Sequence, residues 1–207
     1  MIKHIWFDFS ETIATIHRDR HNKLRYDSYS KVVGKPVTSE LIQEYEELCI
    51  QYPNNNSAVF NSLGMSASYW SEQVNSVNPG ELYRLKDEDI LKVLEEISKI
   101  IPISIFSNIN QDKTLPALGI DPKLFTHILT TGVVRPKPAL DGFYKMIELS
   151  NLKPEEILYI GDHLEKDVLP AKKVGIKSGV VFENLKDADY SFENFKQILE
   201  FVKANCI

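Results

Sequence analysis

The chain has 207 residues, with 24 Lys and Arg against 29 Asp and Glu and 43% hydrophobic residues, a balance that excludes disorder and fibrous repeats and suits one globular fold with room for an insert. Its net charge of -5 lacks the basic surplus with which general nucleic-acid binders neutralise phosphates, so small molecules are the expected partners. Cys49 and Cys206 lie too far apart for a zinc knuckle or a disulfide framework, and no apolar stretch near Met1 is long enough for a signal peptide or a membrane span; the expected compartment is a reducing cytoplasm.

The first apolar run, Ile5 to Phe7, is short, does not alternate and ends at Asp8. Such a run predicts a buried parallel strand. From residue 15 to 82 the pattern changes: helical segments such as Ser39 to Tyr52 and Ser66 to Val77 are separated by Pro53-Asn54-Asn55-Asn56, and no strand-like run occurs. Within this helical insert the basic run His17 to Arg25 reads as a solvated linker, near enough to the first strand's end to meet an anionic substrate. His17 and His21 share a helical spacing, with no acidic or cysteine partner nearby to complete a metal site. Tyr45, Tyr52, Phe60, Tyr69 and Trp70 are expected to pack the insert's core, with one or two facing a pocket.

Beyond the insert, Ile90, Leu91, Val93, Leu94 and Ile97 have the period of a helix opened by Asp87. Ile103 to Phe106, before Ser107, predicts a second buried strand, and His127 to Leu129 a weaker one. A helix through Phe143, Met146, Ile147 and Leu149 follows Pro138, and Ile157 to Ile160 forms a strand before Gly161-Asp162. A helix through Val168 to Val174, a weaker strand at Gly179 to Phe182 and a closing helix from Ser191 through Val202 complete the chain. Strands alternating with helices define an α/β fold, here with a five-stranded parallel core from residues 1–14 and 83–207 and a helical insert over 15–82. The insert sits above the carboxyl end of the first strand, where open parallel sheets bind ligands.

Those strand ends carry the chemistry. A carboxylate such as Asp8 at the end of a buried strand is costly unless it is paired or holds a cation. Gly161 permits a sharp turn, and Asp162 and Asp167 follow it as oxygen donors suited to Mg2+. Between these segments stand Ser107-Asn108 at another strand end and Arg135-Pro136-Lys137-Pro138 leading into a helix. In this order the four segments resemble the haloacid dehalogenase superfamily, whose first motif is a strand followed by Asp-x-Asp-Gly-Thr. Its second motif is a strand-end Ser or Thr, its third a Lys commonly followed by Pro, and its fourth a strand followed by Gly-Asp and a later Asp. The resemblance covers nearly the whole chain, including a helical cap between the first and second motifs.

The resemblance implies a Rossmann-like three-layer core with Asp8 as the nucleophile that forms an aspartyl-phosphate. Asp8, the backbone carbonyl of Ser10 and Asp162 would hold Mg2+, with Asp167 supporting the metal shell. Thr12, Ser107, Asn108 and Lys137 fall on the phosphate-binding side, Thr12 bracing its loop and Lys137 neutralising charge. It also implies a cap that opens and closes, with hinges near Ile13 to Ile16 and Tyr83 to Lys86. Two positions depart from the motif. Ser10 replaces the acid that protonates the leaving group in the family's phosphatases, help worth about 10²–10⁴-fold in rate; Glu11 replaces the glycine. Glu11 and His163 read as solvated loop residues, and are the alternatives for proton transfer.

The expectation is therefore a Mg2+-dependent phosphatase of a small phosphorylated metabolite, slow and favouring good leaving groups, acting as monomer or homodimer without nucleic acid or membrane. Three readings stand beside it: a fold-retaining binding or regulatory protein without turnover, a slow phosphotransferase, and a dehalogenase-like enzyme. The dehalogenases usually lack the acid pair kept here and carry an aromatic residue where Ser10 stands.

Overall fold

Every side chain of β1 (His4–Phe7) is buried, which is why the run shows no polar alternation. The computed structural model describes residues 1–53, 55–130 and 133–206; Asn54, in the predicted linker, lies outside them. From β1 the chain passes through β2 (Ala14–Ile16) and five helices: α1 (Arg18–Val33), α2 (Ser39–Gln51), α3 (Asn56–Ser62), α4 (Tyr69–Asn75) and α5 (Pro79–Leu82). It returns on β3 (Tyr83–Leu85), antiparallel to β2, with Tyr83 opposite Ile16. Then follow α6 (Ile90–Ser98), β4 (Ile103–Ser107), α7 (Thr114–Ala117), β5 (Phe125–Thr130), α8 (Asp141–Ser150) and β6 (Ile157–Gly161). A π-helical turn at Leu164–Val168 leads into α9 (Leu169–Lys173), β7 (Lys177–Val181), β8 (Tyr190–Phe192) and α10 (Phe195–Asn205).

The main sheet has the order β5-β4-β1-β6-β7-β8 and is parallel throughout. Phe7 pairs with Ile105 on one side and Ile160 on the other. The winding runs outward through β4 and β5 in one direction and through β6, β7 and β8 in the other. It reverses at β1, so a crevice opens at the carboxyl ends of β1, β4 and β6. Among the described residues no helix is long and apolar enough to cross a membrane.

Three expectations are corrected. The sheet has six strands, not five, because Ser191 belongs to β8 rather than to the closing helix. With three residues paired to Gly179–Val181 at the sheet edge, β8 is too short to leave a run in the sequence. The closing helix starts at Phe195 instead, where the Asn194 side chain accepts the Gln197 N–H as an N-cap. Thr15 and Ile16, read as part of a wholly helical insert, form β2. Finally, most of the basic run read as a linker is the first half of α1. Its buried residues His21, Leu24, Ser28 and Tyr29 keep helical spacing, yet half of them are not apolar, so the periodic signal is lost.

Aromatic packing holds the helices between β2 and β3 together. Tyr45, Phe60 and Trp70 are buried, with Phe60 and Trp70 stacked at 5.6 Å between ring centroids, while Tyr52 and Tyr69 are partly buried against them.

Two buried histidines each contribute a stability that is expected to be lost in acid. His4 bonds the Ser104 Oγ at 2.9 Å and stacks on Trp6; burial, and then the nearby His127, lowers its pKa to about 4. Burial, and then Arg25, lowers His21 to about 4, its ring set edge-on to Trp70. Because both folded values lie below the ordinary one, the unfolded chain takes up protons first, and stability is lost as the pH falls from about 6.5 toward 4. Each histidine is expected to cost about 2 kcal/mol at about pH 5. The raised pKa of Asp162 acts in the opposite sense over this range, so the loss is read from urea unfolding of His21→Phe beside wild type at neutral and acidic pH, where the variant is expected to lack about half of the histidine part.

Candidate active site

Asp8 directly follows β1, its N–H donating to the Ile160 carbonyl at 2.8 Å. Its Oδ1 accepts from the Phe9 N–H at 2.7 Å and from Lys137 Nζ at 2.9 Å. Lys137, only 2% exposed, arrives on the segment before α8, where its N–H donates to Asn108 Oδ1 at 2.8 Å and the Lys137–Pro138 peptide is cis. Its Nζ also donates to Asp167 Oδ1 and to the Tyr159 hydroxyl, both at 2.6 Å. Tyr159 in turn donates to Asp167 Oδ1 at 3.0 Å, and Asp167 Oδ2 accepts the His163 N–H at 3.1 Å. Both Asp167 oxygens are thus engaged, and this side chain clamps Lys137 from behind.

Asp8, Asp162 and Asp167 each offer a carboxylate oxygen, all within 4.8 Å of one another. Burial, and then the charges of Asp8 and Asp167, pushes Asp162 up to about 7, and burial raises Asp8 against the pull of Lys137. Burial also opposes the ionised form of Asp167, but Lys137, Lys166 and Tyr159 together outweigh it and hold Asp167 low. Against its own burial, Lys137 is kept charged by Asp167 and Asp8. The cluster carries more negative charge than Lys137 balances, and its donors are hard oxygens, so it fits a divalent cation of the Mg2+ type.

Close packing under this cluster depends on Gly161. A Cβ there would stand 2.6 Å from Asp167 Cγ and 2.7 Å from its Cβ, inside van der Waals contact. Gly161→Ala is therefore expected to push Asp167 off Lys137, costing about 1–3 kcal/mol of stability and at least about tenfold in turnover. Thermal melts and rates of this variant beside wild type check both.

Ser107, at the end of β4, accepts the Ile109 N–H at 3.1 Å and Gln111 Nε2 at 3.0 Å on its Oγ. Both lone pairs are used, so its own O–H is left as a donor on the cavity wall that Ser107 lines. Asn108 lines the same wall while holding the Lys137 backbone. Thr12 is not brought there: it is fully buried, outside the cavity wall, and its hydroxyl has no partner. The Ile13 and Ala14 N–H groups both turn back to the Phe9 carbonyl, and on that tight turn the Thr12 side chain is buried in the protein.

Ser10 lines the cavity. Glu11 stands at φ +61°, a left-handed conformation that costs a non-glycine residue about 1–2 kcal/mol. Its carboxylate offsets this by accepting the Ile16 N–H at 2.9 Å and the Thr15 hydroxyl at 3.1 Å and pairing with Lys86 at 3.4 Å. Instead of a solvated loop residue or a free base, Glu11 is a tie between the first loop and the β2–β3 ribbon. His163 lines the cavity with its Nδ1 3.1 Å from the Glu165 carboxylate, and burial lowers its pKa.

The cavity, of about 800 Å³, extends from this cluster to the helices between β2 and β3. Arg18, His21 and Arg25 of the basic run line it, as do Tyr52 and Trp70 of the aromatic set. Asn55 joins its two walls by donating from Nδ2 to the Lys137 carbonyl at 2.8 Å. Sequence reasoning missed Tyr159, Gln111 and Tyr83, which touch the site only through the tertiary fold.

The chain belongs to the haloacid dehalogenase-like hydrolases, whose family model matches residues 5–181. It is 29% identical over 102 residues to a glyceraldehyde 3-phosphate phosphatase of Methanocaldococcus jannaschii, covering 46% of this chain and 45% of that protein. To the enzyme of the same name from Pyrococcus furiosus it is 36% identical over 81 residues, 38% of this chain and 32% of that protein. The match thus spans less than half the length of either curated relative. Among solved structures, a HAD phosphatase from Thermococcus onnurineus has a TM-score of 0.76 at 20% identity over 100% of both chains. A 2-haloacid dehalogenase from Pseudomonas syringae pv. Tomato has a TM-score of 0.69 at 18% identity over 99% of each. At these identities the two structures establish the shared fold, which carries either chemistry.

Proposed function

We propose that this protein hydrolyses the phosphate monoester of a small metabolite through an aspartyl-phosphate on Asp8, with Mg2+ bound. The observation that carries the reading is the cluster of Asp8, Lys137 and Asp162 at the floor of one cavity, with Ser107 on its wall. The phosphatase names of the curated relatives support the same class, and the acidic cluster favours it over dehalogenation, which needs no cation.

In this reading the Phe9 N–H and Lys137 fix the Asp8 carboxylate toward the cavity, so attack on phosphorus needs little reorientation. Lys137 neutralises the nucleophile and the phosphoryl oxygens together, and the Ser107 O–H donates to one of those oxygens. Asp167 and Tyr159 keep the lysine charged and in place. Asp8, Asp162 and the Ser10 carbonyl would hold Mg2+, which when bound supplies positive charge against the phosphoryl group. Arg18 and Arg25 draw an anionic substrate in from the other side of the cavity.

The test is phosphate release from a panel of activated and metabolite esters, with and without Mg2+, for wild type and Asp8→Asn. Release that requires both Mg2+ and Asp8 supports the reading. Mg2+ binding with no release from any ester overturns it in favour of a binding protein, the reading that Ser10 motivates.

A further inference from the structure

Helix α3 brings uncharged polar side chains against the segment that carries Lys137. Asn55 caps α3 by accepting the Ala58 N–H on its Oδ1 at 3.1 Å, and with its Nδ2 it donates to the Lys137 carbonyl at 2.8 Å. One side chain thus fixes where the first turn of α3 stands relative to the lysine. Asn55, Asn56 and Ser57 all line the cavity that Asp8, Ser107 and Lys137 line.

The two residues after Asn55 carry polar groups that the fold itself does not use. Asn56 accepts the Tyr45 hydroxyl on its Oδ1 at 2.9 Å, and its Nδ2 donates to none of the described residues. Ser57 is 3% exposed, yet among the described residues its hydroxyl has no hydrogen-bond partner. Nor is that hydroxyl sealed in, as those of Thr12 and Ser28 are; it opens on the cavity that Ser57 lines. A largely buried hydroxyl left this way is a cost that a fold keeps for a reason. Neither side chain is charged, so the group they match is an uncharged oxygen, which accepts from Asn56 Nδ2 and shares a hydrogen bond with Ser57. Ser57 lies two residues past Asn55, about 3 Å along the helix, so a leaving group of a few atoms reaches it.

Resting on the hydrolase reading, we propose that Asn56 and Ser57 select the substrate by binding a hydroxyl or carbonyl oxygen of its leaving group, with Asn55 as the positioning residue that sets them against Lys137. The substrate class is then the phosphate ester of a small, uncharged, hydroxylated compound. A plain alkyl group would displace water from this wall and leave both polar groups unpaired. A site built to hydrogen-bond an oxygen rejects the analogue that lacks it. Arg18 and Arg25, on the α1 side of the cavity, act on the phosphoryl charge that every such ester carries, so they do not tell one uncharged leaving group from another.

The experiment compares glycerol phosphate with propyl phosphate, esters of equal chain length that differ in their hydroxyls, for wild type, Ser57→Ala and Asn56→Asp with Mg2+ present. Each ester is measured by its own turnover and also as a competitive inhibitor of nitrophenyl phosphate hydrolysis, so that slow turnover does not hide binding; Asp8→Asn is the blank. Wild type is expected to prefer the glycerol ester at least about tenfold. Ser57→Ala is expected to lower that preference about 2- to 10-fold and to melt with wild type, since the lost hydroxyl leaves no protein partner behind. Asn56→Asp keeps an acceptor for Tyr45 and loses the donor; its added charge acts on both esters alike, so the same ratio is expected to fall. Equal handling of the two esters by wild type, or a preference that Ser57→Ala leaves unchanged, overturns the proposal while the hydrolase reading stands. Absence of Asp8-dependent release from nitrophenyl phosphate overturns the hydrolase reading, and this proposal with it.

Discussion

Asp8→Asn is expected to remove Mg2+-dependent phosphate release, a loss on the order of 10⁶-fold if Asp8 is the covalent nucleophile, while leaving the fold at least as stable as wild type. Asparagine fills the same space, and its oxygen can still accept the Phe9 N–H. Lys137 does not become a stranded charge, because Asp167 holds it at 2.6 Å. Meanwhile Asp162, pushed up to about 7 by burial and then by the charges of Asp8 and Asp167, loses one of those like charges. A catalytic loss of this size in a protein that melts no lower separates a missing nucleophile from a damaged fold. An Asp8→Asn variant that still releases phosphate at the wild-type rate would place the chemistry on another group. Rates on the ester panel and a thermal melt of the same preparation are the two measurements.

Much of this arrangement was legible in the sequence because buried parallel strands announce themselves as short apolar runs, and the sheet topology gathers their polar ends. Asp8 and Ser107 stand directly after such runs, Asp162 one glycine beyond another, and Lys137 between two prolines. What was not legible has specific causes. Tyr159 sits within the run Ile157–Ile160 and reads as core; its hydroxyl meets Lys137 and Asp167 only because β6 lies beside β1. Gln111 orients Ser107 from a loop that carries no pattern of its own. The left-handed Glu11 has the wrong residue type for its conformation, and three side-chain interactions that compensate become visible only with β2 and β3 in place. Helix α1 was hidden because its buried face includes His21 and Ser28. Thr12 follows the family spacing, yet the turn onto the Phe9 carbonyl carries it inward.

Lys137→Met is expected to behave in the opposite way to Asp8→Asn, losing turnover and about 3–5 kcal/mol of stability together. Methionine keeps most of the volume between the Phe106 and Tyr159 rings, over which the ammonium lies at 5.4 and 5.3 Å, so the cost is electrostatic rather than a cavity. Removing the ammonium strips Asp8 and Asp167 of their shared cation, leaving Asp167 with Tyr159 and the His163 N–H and Asp8 with the Phe9 N–H. Urea unfolding in chelator isolates this term, since no added cation then takes the place of the lysine. Mg2+ is expected to restore part of the loss by binding the folded state. Adding Asp8→Asn to Lys137→Met is expected to recover stability as well, because it removes one of the two carboxylates the substitution strands. Equal stability of wild type and Lys137→Met in chelator would mean that Asp8 and Asp167 are not both ionised in the folded protein, and the charge balance on which the site's affinity for a cation rests would fail.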